Sequence, residues 1–415
     1  MDNPVRASIL RLMKYDLIII GGGLNGPALA LAAAQAGLRS CVVDALPLNS
    51  RKAEGFDGRS YALARSSQRM LERLGLWSEL DAHAQPMNQI KVSDGRVGDA
   101  GVFLGLHFDS AEIEDGPMGF MVEDRYIRRA LLEALAGSEL IDHRSETLAT
   151  GQAIDTSGAS VTLADGTVLQ GRLIVGADGQ RSGVARRAGI RRMGWSYGQT
   201  ALVCAIAHEQ PHDGVAHQLF LPAGPLAILP LTGNRSSIVW SETDSRAKAI
   251  NALPDPEYLQ VLRPRFGDFL GEISLEGARF TYPLTLSLAH DFVSDRVALV
   301  GDAAHRMHPI AGQGLNAGLR DVAALAHVII HAVRRGEDIA GPGVLDRYAQ
   351  WRRFDTASLA ASTDLFNRLF SNDNPLLRLG RDIGMAAINA APGLRRGFIR
   401  EAAGLTGDLP DLMRA

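Results

Sequence analysis

The sequence predicts an α/β fold: a Rossmann-like nucleotide-binding domain, an antiparallel β-sheet inserted into it, and a helical carboxy-terminal arm. Three observations carry this. A β-branched run meets a glycine-rich turn near the start of the chain. Alternating, β-rich segments fill the middle from Gln199 to Tyr282. A later apolar strand, Val297 to Val300, leads into another glycine-rich loop and then a helical stretch. With 415 residues the chain exceeds one compact core of ordinary size. The division that follows is 1–185 and 291–345 for the two parts of the nucleotide domain, 186–290 for the inserted sheet and 346–415 for the helical region.

The first strand is Tyr15-Asp-Leu-Ile-Ile-Ile20, and Gly21-Gly-Gly23-Leu24-Asn25-Gly26 follows it. An alanine-rich helix, Pro27 to Ala36, and a second strand, Ser40 to Asp44, complete a βαβ unit with G-x-G-x-x-G at its first turn. Gly21 permits the turn, Gly23 lets a pyrophosphate approach the backbone, and Gly26 lets the helix pack on the strand. Leu24 and Asn25 belong to the same phosphate-facing turn, where the helix offers free N–H groups and a positive dipole end. Asp44 ends the second strand, where a carboxylate accepts the adenosine ribose hydroxyls. The turn alone does not distinguish NAD(P) from FAD.

Further along, Arg59-Ser-Tyr-Ala-Leu63 precedes an amphipathic helix, and Asp165-Gly166 marks a hairpin between Ala159–Leu163 and Thr167–Leu169. Strand Leu173 to Val175 enters Gly176-Ala-Asp-Gly179. Phe220, Trp240 and Tyr282 are read as core of the inserted sheet.

A net charge of −3 and a pI near 6.4 give no reason to expect nucleic acid. The cysteines, Cys41 and Cys204, lack metal or disulfide spacing, which fits a reducing cytoplasm. No signal-peptide pattern opens the chain, and no apolar run reaches the roughly 18 residues of a spanning helix.

At Asp178-Gly179 and Gly301-Asp302 the chain resembles the class A flavoprotein monooxygenases, the group of p-hydroxybenzoate hydroxylase. Within that group, His308-Pro-Ile-Ala-Gly-Gln-Gly-Leu-Asn-Ala-Gly-Leu-Arg-Asp321 is similar to the signature of the ubiquinone-biosynthesis hydroxylases. The resemblance extends through Gly224–Pro230, Ser371–Pro375 and Arg400–Gly404. It implies non-covalent FAD, NAD(P)H as a transient reductant, and O2 activated as a C4a-hydroperoxyflavin that hydroxylates a polyprenylated phenol. The alternatives are a hydroxylase of a small soluble phenol and a non-catalytic flavin-binding member of a biosynthetic complex.

The same resemblance implies roles for individual residues. Asp178 belongs to the cofactor site, Gly301 lets the backbone pass the pyrophosphate, and Asp302 accepts from the ribityl hydroxyls. Gly312 and Gly314 let the backbone crowd the flavin ring, and the helix starting near Leu315 and Asn316 aims N–H groups at the flavin O2. Arg59 contacts FAD, and His308 and Pro309 stand at the catalytic position. His305 lines the same pocket, and no metal is expected. Glu123 and Arg125, a looser match, stay outside the site, as does Arg186.

The segment Phe366 to Gly404 is basic and amphipathic. That composition suits peripheral contact with the inner face of a membrane or with partners in a ubiquinone-biosynthesis complex; packing on the protein's own core is the alternative.

Overall fold

The computed structural model describes residues 14–51, 55–94, 105–155, 158–265, 267–308, 312–370 and 388–415. Pro309 and the stretch 371–387, which includes Ser371–Pro375, lie outside the described residues. The β-branched runs form a parallel sheet ordered Val297–Leu299, Val168–Gly176, Tyr15–Ile20, Ser40–Val43, Ile141–Arg144. Its central residues Leu17, Ile18, Ile19, Ile174, Val175, Ala298 and Leu299 are wholly buried. At roughly 1.5–3 kcal/mol for each large apolar side chain buried, this strand cluster is a main source of stability. The hairpin expected at Asp165-Gly166 forms: Val161 pairs with Leu169, and Gly166 takes φ +85°.

A second sheet of eight strands runs His305–Arg306, Ile273–Ala289, Arg192–His208, Arg235–Thr243, Gly224–Leu231, Val215–Leu221, Gln89–Asp94, Leu106–Asp109. The strands Gln89–Asp94 and Leu106–Asp109 join it from the amino-terminal part of the chain. One face buries Leu202, Ile206, Ile238 and Trp240 against Tyr258 and Leu262 of the helix Asp255–Leu262. The other packs Ala205, Ala216 and Leu231 on Met87 and Met121. Trp240 and Phe220 are therefore core as expected, but Tyr282 is 37% exposed and stacks on Phe280 instead. Tyr282 pairs opposite Ala201, on the other face of the sheet from Leu202 and Trp240, and is not core.

The helix Gln313–Arg334 lies over the parallel sheet beside the helix Asn25–Ala34, whose alanines allow the close approach. On this helix Asp321 is fully buried. Its Oδ2 accepts from Gly301 N at 2.9 Å and from His305 Nε2 at 2.6 Å, and its Oδ1 accepts from Arg352 Nε at 2.7 Å. Arg352, also buried, reaches Asp355 Oδ2 at 2.7 Å, and nearby Tyr348 donates to Leu299 O at 2.7 Å. Both come from the helix Pro342–Phe370, so one buried network joins two helices, the end of a central strand and the loop after it.

The helix Pro392–Ala402 packs inward, burying Ile399 with Phe108, Ile113 and Met118. Arg395 pairs with Glu112 at 2.8 Å and Arg400 with Asp115 at 3.4 Å. This portion of the arm thus meets the protein's own core, leaving Leu394 and Phe398 exposed on its outer side. Among the described residues no helix is long and apolar enough to cross a membrane.

Replacing Arg352 by Met removes one partner of a buried ion pair, which costs about 3–5 kcal/mol because the remaining charge is left uncompensated. Burial works to raise the Asp321 carboxyl, but the His305 and Arg352 charges outweigh it and hold the group below its ordinary value. The stabilisation is therefore complete above the unfolded carboxylate pKa of about 4 and is lost as pH falls through the depressed folded value. Denaturant unfolding of wild type and Arg352→Met at neutral and acid pH measures this. Equal stability at neutral pH would show that the network does not hold the fold.

Candidate active site

The first glycine turn follows from close packing on three sides. Gly21 takes φ +121°, and a Cβ there would lie 2.1 Å from Ala177 O; at Gly26 it would lie 2.0 Å from Gly21 O. Gly22, which the motif treats as variable, presses against the Asp44 carboxylate, where a Cβ would fall 2.5 Å from Oδ2. Gly23 differs, because a Cβ there meets no atom within 4 Å. Its smallness faces outward, over the start of the helix Asn25–Ala34. Asp44 is buried at the strand end, with its Oδ1 accepting from Leu46 N at 3.2 Å. Leu24 caps the helix without a side-chain bond.

Asn25 reaches across to the later loop. Its amide side chain occupies the space that a Cβ would need at Gly301 (2.2 Å) and at Gly318 (2.5 Å), so both glycines are explained by one asparagine. Its Oδ1 is buried with no hydrogen-bond partner among the described residues.

Asp178 Oδ2 accepts from Gly183 N at 2.7 Å and Val184 N at 3.1 Å, while its Oδ1 is buried and unpaired. The adjoining Gln180 accepts from Arg306 and donates to Thr285 Oγ1 at 3.1 Å, which ties this turn to the later loop and to the second sheet. Arg192 donates to the carbonyls of Asp302, at 3.2 Å, and of Ala303. The Asp302 carboxylate remains reachable by solvent, yet protein crowds it on most sides. That desolvation raises its carboxyl, against the opposite pull of His305, Arg306 and Arg192.

Past the undescribed Pro309, Gly312 (φ +63°) begins the long helix with its Cα against Ala62, where a Cβ would lie 2.9 Å from the alanine's own. No side chain caps the helix, and Gly314 in its first turn is again a position where a Cβ meets nothing within 4 Å. Leu315 is half-buried against the main core. Asn316 spends its whole amide on the protein: Oδ1 accepts from Ala64 N and Ser67 Oγ, both at 2.8 Å, and Nδ2 donates to Ala62 O at 2.8 Å and Gly312 O at 3.0 Å. Its side chain sets the loop against the strand Ser60–Ala64.

That strand begins beside Arg59, which is a fixed side chain and not a solvated loop arginine. Its Nε and Nη2 donate to Asp57 Oδ2 at 2.8 and 2.6 Å, Asp124 lies at 3.4 Å, and its guanidinium sits 5.7 Å from the Phe280 ring centre. Glu123, at the end of the strand Gly119–Glu123, is buried between Arg125 Nε at 2.7 Å and Arg235 Nη2 at 2.8 Å, which ties that strand to the second sheet. Arg186, also kept out of the site, is exposed.

His308 is 1% exposed, and neither ring nitrogen has a hydrogen-bond partner among the described residues. Burial pushes its imidazole down to about 4, so the ring is neutral at physiological pH. Tyr197 meets it edge-on with 5.3 Å between ring centres. His305, by contrast, is committed to Asp321 and does not line the cleft. The sequence reading missed Asp321, Arg352 and Arg192 as supports of this loop. The terminal Asp of the His308–Asp321 signature was the available signal for the first of them.

The assembled cleft offers carboxylate acceptors at Asp44 and Asp302, two outward-facing glycines at helix starts, and unpaired buried atoms at Asn25, Asp178 and His308. Hydroxyl-rich and phosphate-bearing dinucleotides complement such a set. An FAD-binding domain family model matches residues 14–361. The ubiquinone hydroxylase UbiL of Rhodospirillum rubrum is 45% identical over 96% of this chain and 92% of its own length. The 3-demethoxyubiquinol 3-hydroxylase of Escherichia coli is 33% identical over 94% of this chain and 98% of its own. Among solved structures, p-nitrophenol 4-monooxygenase of Pseudomonas putida superposes with a TM-score of 0.78 at 20% identity, covering 95% of this chain and 98% of that one. That likeness establishes the fold. The chain belongs to the FAD-binding domain family and, within it, to the ubiquinone-biosynthesis hydroxylases, which are FAD-dependent aromatic monooxygenases.

Proposed function

We propose that this enzyme hydroxylates the ring of a polyprenylated phenol in ubiquinone biosynthesis, taking electrons from NAD(P)H and oxygen from O2. The observation that carries the reading is the convergence of the three motifs on one cleft, in a chain related over nearly its full length to ubiquinone hydroxylases. Bound FAD supplies the electron transfer and the oxygen activation. The residues fitted to hold it are Asp44 for the adenosine ribose, the turn at Gly23, Leu24 and Asn25 for the pyrophosphate, and Asp302 for the ribityl hydroxyls. Arg59 and Asp178 flank these contacts, and Gly301 and Gly312 bring the backbone close. The amides around Gly314 and Leu315, at a helix start with a positive dipole end, would stabilise negative charge on a flavin ring held there.

His308 adds a neutral imidazole in a dry setting. With both nitrogens unspent, it can accept from or donate to a phenol hydroxyl without carrying charge. Its place beside Tyr197 and the apolar group Leu286, Met307 and Ala317 suits an aromatic ring bearing an apolar tail. Pro309 follows it in the sequence. Peripheral membrane contact would give such a tail a short route into the cleft. Leu394 and Phe398, four residues apart on the outer face of their helix beside exposed Arg396, are the side chains fitted to make it.

Cells lacking the protein should accumulate a prenylated phenol short of one hydroxyl, read by mass spectrometry of extracted quinones. An unchanged quinone profile would move the substrate to a small soluble phenol. Two variants separate holding the cofactor from using it. Asp302→Ala removes charge-assisted acceptors without removing core volume, so FAD affinity should fall roughly 10- to 150-fold with the fold kept. His308→Leu should keep one non-covalent FAD per chain and lose hydroxylation while NAD(P)H oxidation persists as peroxide release. Full flavin occupancy in the first variant after dialysis, or full product yield in the second, would remove the assigned role. Sedimentation with anionic liposomes should fall when Leu394 and Phe398 are both changed to Ser; unchanged sedimentation excludes that contact.

A further inference from the structure

Away from the cleft, two histidines and a carboxylate from distant parts of the sequence converge. His327 and His331 are four apart on the helix Gln313–Arg334 and so share a face. Asp411 comes from the terminal turn Asp411–Met413. Its Oδ2 lies 3.0 Å from His327 Nδ1 and 3.1 Å from His331 Nε2, and all three atoms fall within 4.8 Å of one another. Bonds of 2.0–2.1 Å in a tetrahedral zinc centre place ligand atoms about 3.3 Å apart. Two of the three edges are therefore already within a few tenths of an ångström of that spacing.

One carboxylate oxygen, Asp411 Oδ2, stands between two imidazole nitrogens, paired with His327 Nδ1 at 3.0 Å and with His331 Nε2 at 3.1 Å. Two ring nitrogens and one carboxylate oxygen turned to a common point are also the donor set that a shared dication takes. The surroundings also orient the set. Arg414 Nη1 holds the other oxygen, Asp411 Oδ1, at 3.1 Å, leaving Oδ2 for the histidines, and Trp351 packs edge-on against His327 with 5.1 Å between ring centres.

We propose that His327, His331 and Asp411 form a binding site for one zinc-like transition-metal dication. Two imidazoles and one carboxylate suit Zn²⁺, Co²⁺ or Ni²⁺ better than Mg²⁺ or Ca²⁺, which prefer all-oxygen shells. The three side chains are part-exposed, so solvent supplies the fourth ligand. The role is structural. Arg320 of the same helix already holds the Gly404 and Thr406 carbonyls at 3.0 and 3.2 Å, and Trp351 Nε1 donates to Asp408 O at 3.1 Å. The ion clips the last residues to the helix whose other end forms the cofactor cleft.

The test is calorimetric titration of Zn²⁺ into FAD-loaded protein that is tag-free and stripped of metal, with the thermal midpoint measured alongside. Wild type should bind one Zn²⁺ per chain at this site and gain thermal stability from it. His331→Ala and Asp411→Asn should each weaken that binding by at least the roughly tenfold that even outer-shell changes cost, with flavin content unchanged as the check on folding. His331→Ala is the cleaner variant, because Asp411→Asn also disturbs Arg414. No Zn²⁺ uptake by wild type, or equal uptake by the variants, overturns the site. Uptake without a rise in thermal midpoint overturns the clip.

Discussion

The buried carboxylate of Asp321 is the constraint on which the site depends. A single ionised group in the interior must be paired and fully hydrogen-bonded. Asp321 meets that demand by drawing in the Gly301 amide, His305 and Arg352 from three separate segments. Because Gly301 comes just after the strand Val297–Leu299, with only Val300 between, fixing its amide fixes where Asp302 leaves the sheet. The same helix carries Asn316 about one and a half turns before Asp321, and Asn316 pins the loop to Ala62, Ala64 and Ser67. Two polar side chains on one helix thus set both ends of the loop that the cofactor must meet.

Three aspartates of the cleft show how environment divides the work of one residue type. Asp321, wholly buried among cations, stays ionised and is structural. Asp178 is split, with one oxygen capping the turn at Gly183 and Val184 and the other unspent. Asp302 is raised by desolvation, and among the described residues no donor bonds its carboxylate, which leaves its acceptors for a ligand. Only position in the fold distinguishes the three, because the side chain is identical.

Much of the fold was legible because it rests on local periodicity. The β-branched strands and the hairpin at Asp165-Gly166 each declare themselves within about a dozen residues, and the βαβ unit declares itself within the contiguous stretch from Tyr15 to Asp44. What escaped depends on long-range pairing. Gln89–Asp94 is a short alternating run whose partner, Val215–Leu221, lies more than a hundred residues on, and their parallel pairing leaves no local trace. Tyr282 was misjudged because alternation says which residues share a face but not which face is covered. His305 looked like pocket lining because it sits beside His308 in sequence. Its partner Asp321 is sixteen residues away, and only the fold brings them together.

The glycines carry a finer distinction that sequence alone does not make. At Gly21, Gly26, Gly301, Gly312 and Gly318 a Cβ would strike the protein's own atoms, so packing alone requires glycine there. At Gly23 and Gly314 it would strike nothing, and neither residue has a positive φ. Neither close packing nor backbone conformation calls for glycine at those two positions. Each lies at an uncapped helix start facing the cleft, where a side chain would stand between amide groups and whatever approaches them. The constraint there comes from a ligand that must come within contact distance of the backbone, and a dinucleotide with a phosphate at one end and a flavin ring at the other meets it at both.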